Sequence, residues 1–82
     1  MQAIQTRYMG PTDTRGSRIK ATSADGDSLT IGYPHEAREG ADAHSRAALA
    51  LARKLEWTGN LAAGALRDGY AFVFCADGEY AI

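Results

Sequence analysis

The chain has 82 residues, of which 45% are hydrophobic and 23% charged; that is enough for one core and too little for a second, so one domain of ordinary globular composition is expected. Nine Lys and Arg against ten Asp and Glu leave a formal charge of −1, which excludes a global field for holding nucleic acid or an anionic membrane. A domain of this size buries only about 60–65% of the surface its unfolded chain exposes, which argues against a deep substrate cavity.

Cys75 is the only cysteine, so neither an intrachain disulfide nor a thiolate zinc cluster can form, and a reducing cytosolic setting is expected. No segment approaches the ~20 apolar residues of a membrane span. Residues 1–5 show no basic stretch leading into an apolar run, so neither export nor a membrane partner is expected.

In chain order, residues 2–9 alternate, with Ile4, Thr6 and Tyr8 on one face and Gln5, Arg7 and Met9 on the other, as a half-buried strand does. Gly10-Pro11 ends it, and the polar residues 12–17 read as a loop. A second strand, about residues 17–24, sets Ile19, Ala21 and Ser23 against Arg18, Lys20 and Thr22, so that its outer face is basic. Asp25-Gly26 predicts a two-residue hairpin turn with positive φ, leading into a third strand over residues 28–33 with Leu29, Ile31 and Tyr33 inward.

Pro34 closes that strand, and residues 34–40 form an acidic connection. A helix follows over residues 41–56, where Ala41, His44, Ala47, Ala48, Leu51, Ala52 and Leu55 make one stripe opposite Arg46, Arg53 and Lys54. Asp42 early and Arg53 and Lys54 late suit the helix dipole, and the many alanines predict close approach to a sheet. Leu49 falls off the stripe. Residues 60–66 give a weak strand interrupted by Gly64, Asp68-Gly69 marks a tight turn, and residues 70–75 are the most β-prone run, expected centrally in the sheet. Asp77-Gly78 turns the chain toward the short apolar end Tyr80-Ala81-Ile82, an edge contact or a frayed tail. The predicted fold is α+β: an antiparallel sheet of four to five strands with one amphipathic helix on one face, in the order β-β-β-α-β-β. Its other face is the natural place for a partner.

Chemistry is sparse. His35 and His44 lie near Glu36, Glu39 and Asp42, but the spacing fits no zinc or calcium motif, and no metal or cofactor is assigned. Cys75 ends an apolar strand and is expected to be buried there. No nucleophile, base and orienting group come together in a recognisable pattern, so no catalytic residue is assigned and an enzyme is not expected. The stretch Arg15-Gly16-Ser17-Arg18-Ile19-Lys20 offers guanidiniums and free backbone N–H groups to a phosphate, although a strand face solubilised by charge explains the same residues. Tyr8 and Tyr33 near Arg7, Arg18 and Lys20 could form a stacking platform for a single strand, whereas strand phase places the aromatics Tyr33, Tyr70, Phe72 and Phe74 with the core.

Charge is segregated along the chain. Residues 1–20 carry Arg7, Arg15, Arg18 and Lys20 against Asp13, a local +3, and residues 25–42 carry Asp25, Asp27, Glu36, Glu39 and Asp42 against Arg38, a local −4. These nine residues, excluding Asp13 and Arg38, are the candidate partner surface, either half of which could make the contact. A small nucleic-acid-binding module using the basic strand face is the alternative reading.

The runs Met1-Gln2-Ala3-Ile4-Gln5-Thr6-Arg7-Tyr8 and Thr14-Arg15-Gly16-Ser17-Arg18-Ile19-Lys20-Ala21, the Tyr33-Pro34-His35 segment, the Ala-rich helix ending Lys54-Leu55-Glu56-Trp57, and Gly69-Tyr70-Ala71-Phe72-Val73-Phe74 resemble a family of small proteins carried by bacteriophages and mobile elements. Some small phage proteins of this type are anti-CRISPR inhibitors of type I systems. The resemblance implies a stoichiometric inhibitor in the bacterial cytosol, a monomer or homodimer. It would bind a host nucleoprotein complex, a type I effector or its nuclease, and block DNA engagement or nuclease recruitment. It carries over no catalytic residue.

Overall fold

A computed structural model describes residues 2–13, 16–37 and 39–82; Arg15, one of the candidate contact residues, lies outside them. Three strands, β1 (Ala3–Met9), β2 (Arg18–Ser23) and β3 (Ser28–Gly32), precede the helix α1 (Gly40–Lys54), and β4 (Asn60–Leu66), β5 (Gly69–Phe74) and β6 (Tyr80–Ala81) follow it. They form one curled antiparallel sheet in the order β3-β2-β1-β5-β4-β6. The β-prone run of β5 is central, as its composition predicts. Residues 60–66 pair without a break at Gly64, and the apolar end supplies a sixth, two-residue edge strand on β4.

Alternation along each strand sends one set of side chains under the helix. Ile4, Ile19, Ala21, Leu61 and Phe72 from the sheet meet Ala43, Ala47, Ala48, Leu51 and Ala52 from α1, all essentially inaccessible to solvent. With so many alanines at this interface the helix lies close to the strands, and bulk comes from the periphery: Leu29, Ile31, Tyr33, Leu49, Trp57, Tyr70, Phe74 and Tyr80 pack around the buried cluster. Off-stripe Leu49 belongs to this half-buried rim. Ala43 and Ser45 are buried as well, so the covered face of α1 is wider than the predicted stripe.

The turns refine three expectations. Ser23 N–H donates to the Asp27 carbonyl (2.8 Å) and Gly26 N–H to that of Ser23 (3.0 Å). The β2–β3 loop is therefore the three residues 24–26, with Gly26 at φ 98° and no positive φ at Asp25. This is the turn-plus-bulge hairpin, not the two-residue turn. Asp27 N–H also donates to Ser23 Oγ (3.1 Å), closing the loop. In the β4–β5 hairpin the loop is Arg67-Asp68, and Gly69 is the first paired residue of β5, opposite both Leu66 and Arg7. A Cβ at Gly69 would run into the Thr6 carbonyl, so glycine is required there by close approach of two strands. At its C-terminus α1 ends with Trp57 N–H on the Ala52 carbonyl (2.9 Å) and Glu56 N–H on that of Arg53 (3.0 Å). That Schellman arrangement places Glu56, at φ 61°, where glycine is usual.

Candidate functional site

The face of the sheet opposite α1 is left uncovered by the described elements, and its chemistry is set by the strand register. One row across it runs Thr30, Lys20, Arg7, Gly69, Leu66; the next runs Ser28, Thr22, Gln5, Ala71, Gly64. Arg18 stands one row further on, opposite Met9 and Gly32. Three of the predicted contact residues, Arg7, Arg18 and Lys20, are thereby gathered on two neighbouring strands. Beside them β4 and β5 present small or apolar groups, with Val73 and Leu66 38% and 46% exposed.

Arg7 and Lys20 are direct cross-strand partners. Like charges in that position destabilise a sheet by about 0.2–1 kcal/mol. Both ion pairs among the described residues belong to Arg46, with Glu36 (2.9 Å) and Asp42 (3.5 Å), so no described carboxylate neutralises the three cations of the sheet face. Arg18 adds a further mismatch, because its Nε is buried with no hydrogen-bond partner. Arg7, Arg18 and Lys20 line a shallow hollow of about 460 Å³ with Tyr8, Met9 and Gly10.

The acidic half of the predicted surface is divided. Asp25 and Asp27 sit at the β2–β3 hairpin, where Gln2 Nε2 donates to Asp25 Oδ2 (2.7 Å). Glu36, Glu39 and Asp42 lie at the far end of β3, before and in the first turn of α1. Five strand residues separate the two groups, roughly 17 Å. Arg46, in the next turn of the helix, reduces the charge of the second group, a partner hidden from a count that stopped at residue 42. Glu39 is the N-cap residue of α1 and makes no side-chain cap.

Two other expectations change. Cys75 is exposed, because alternation after inward Phe74 carries it past the end of β5 and away from the helix. Tyr8 shares the phase of Ile4 and Thr6 but is 46% exposed; it meets Tyr33 edge to face at 5.8 Å and Ser17 Oγ at 3.0 Å, at the end of the sheet. The cationic rows themselves carry no aromatic ring among the described residues. No group of three His, Cys, Asp or Glu side chains converges among those residues, and no described helix is long and apolar enough to cross a membrane.

No protein-family model matches the chain, and no curated protein or solved structure is significantly similar to it.

Proposed function

We propose that this chain acts by binding rather than by catalysis, and that its contact surface is the helix-free sheet face, which docks on an acidic surface of a protein partner. The observation that carries the reading is the unneutralised set Arg7, Lys20 and Arg18. Folding gains nothing from two cations opposite each other, whereas a carboxylate-bearing partner would turn the repulsion into attraction. Adjacent Leu66 and Val73 supply apolar contact of the kind that anchors a polar-rimmed interface. An interface of about 800 Å² per partner is within reach of a domain this size.

The resemblance to small phage and mobile-element proteins gives the partner a class. The chain is read as a cytosolic inhibitor of a host nucleoprotein complex, of the anti-CRISPR kind, which occupies a type I effector or its nuclease. The alternative, a nucleic-acid module on the same face, is less well supported, because single-strand readers stack successive bases on several aromatic rings, and of the described aromatics only Tyr8 lines the hollow with Arg7, Arg18 and Lys20.

The deciding experiment mixes the purified protein with a panel of type I effectors and their nucleases and follows complex formation and target cleavage. Stable capture with loss of cleavage, abolished by Lys20→Glu, is the expected result; no binding across the panel sinks the inhibitor reading. Binding to bare DNA or RNA that falls steeply with salt would transfer the same face to the alternative.

A further inference from the structure

β3 ends one side of the sheet, with no described strand beyond it. Two backbone hydrogen bonds, Ser23 N–H to the Asp27 carbonyl (2.8 Å) and Tyr33 N–H to that of Ser17 (2.9 Å), fix which residues of β3 face β2. Hydrogen-bonded pairs alternate along an antiparallel ladder, so in this register Ile31 bonds to Ile19 and Leu29 to Ala21. Ser28, Thr30 and Gly32 therefore turn N–H and C=O away from the sheet. All three are exposed, and no backbone hydrogen bond of the described loops reaches them.

Sheet proteins blunt such an edge with a charge, a proline or a very short strand. The run Ser28-Leu29-Thr30-Ile31-Gly32 has none of these. On the opposite side β6 pairs with Asn60 and Leu61. The rest of β4 is Ala62, Ala63, Gly64, Ala65 and Leu66, with little side chain to pack across a new pair.

We propose that β3 is a homodimer contact, pairing antiparallel with β3 of a second copy about a twofold axis through Thr30. The edge is self-complementary in that register. Thr30 exchanges both hydrogen bonds with Thr30 of the other copy, and Ser28 does so with Gly32. Between them Leu29 of one copy stands opposite Ile31 of the other on the helix side. Each is only half-buried at the rim of its own core, and the contact covers both further. Charge fits the antiparallel sense as well. The hairpin end of the edge carries Asp25 and Asp27, whereas the other end lies beside Arg18, the partner of Gly32 on β2. Glu36, at that second end, is already held by Arg46 (2.9 Å). Antiparallel pairing thus sets unlike ends together, with no side chain at Gly32 between Arg18 and the neighbouring copy. Lys20 of one copy stands three strand spacings from Lys20 of the other, about 14 Å, beyond the ~10 Å screening length at 0.1 M salt. A twofold contact also closes, whereas β3 on β4 would propagate as an open fibre. The proposal does not rest on the sheet-face reading; it leaves that face open and sets two copies of it side by side.

Sedimentation equilibrium of the whole protein should give twice the 8.7 kDa chain mass at concentrations up to about 200 µM. Thr30→Glu and Thr30→Lys, at an exposed position, each put like charges face to face across the axis and should raise the dissociation constant about tenfold. An equimolar mixture of the two variants should recover the dimer, because unlike charges then meet. A further readout needs no variant: amide hydrogen exchange at Thr30 and Gly32 of the wild type should slow as concentration rises. A wild type that stays monomeric, open assemblies larger than a dimer, variants that dimerise as well as the wild type, a mixture that does not recover the dimer, or exchange that ignores concentration would each overturn the proposal.

Discussion

His44 is held neutral by its surroundings. Burial pushes its pKa below the ordinary 6.5, because the charged ring would lose its hydration under the helix. Above pH 6.5 the folded and unfolded chains both carry a neutral His44, and its contribution is fully present. As pH falls below 6.5 the unfolded chain takes up a proton that the folded one refuses, so stability declines, by at most about 1.4 kcal/mol per pH unit, until the lowered folded pKa is passed. Urea midpoints at descending pH should therefore fall more steeply for the wild type than for His44→Gln; parallel curves would show that the carboxylates alone govern the acid limb. Glu56 is the second residue with a marked cost. It occupies a left-handed position with φ 61°, unfavourable for any side chain with a Cβ. Glu56→Gly removes that strain while freeing the unfolded chain, a net gain of about 0.5–1 kcal/mol. In thermal unfolding the midpoint should rise by roughly 2–8 °C.

The helix and sheet show what patterning conveys and what it omits. Ala43, Ala47, Ala48 and Ala52 are all fully covered, so the space between α1 and the strands is set by methyl groups. Ala48→Leu must lift the helix or twist neighbouring side chains from their rotamers, at a cost of about 1–3 kcal/mol, whereas Arg53→Leu on the exposed side should change the denaturation midpoint little. Equal effects would mean that the helix is more loosely seated than its burial implies. The 3.6-residue stripe and the alternation of the strands were readable because burial follows those periods directly. The β2–β3 loop was harder. Asp25-Gly26 announces a hairpin, but whether one or two residues adopt positive φ depends on the pairing of Ser23 with Asp27, which lies outside the dipeptide. Gly69 was read as a turn signal and is needed instead because Thr6, 63 positions earlier in the chain, passes against it. The contact surface was legible to the same extent. Alternation found Arg7, Arg18 and Lys20 on outward positions, but their gathering into adjacent rows required the β1–β2 register. The linear acidic cluster lost its unity once β3 ran through it, and two hollows beside His44 left no local motif, because their linings come from β1, α1, the β4–β5 turn and the segment before the helix.

At the scale of the whole molecule, the placement of charge across β1 and β2 does not favour stability. A protein of net charge −1 has enough carboxylates to neutralise its cations, yet Arg46 takes both described ion pairs at the helix face while Arg7 and Lys20 face each other across β1 and β2. If that arrangement serves docking, stability and binding should move in opposite directions when it is repaired. Arg7→Glu converts the repulsive cross-strand pair into an attractive one without touching the core, since Arg7 is exposed. The substitution should stabilise the fold by about 0.5 kcal/mol or slightly more at low ionic strength, and the gain should shrink as salt approaches ~1 M, where the Debye length is only about 3 Å. In the same variant, capture of an acidic partner should weaken, chiefly through slower association. Chemical denaturation at two salt concentrations and a binding-rate measurement against the captured partner test both halves. A variant that is less stable and binds no worse would show that Arg7 contributes to the sheet rather than to an interface.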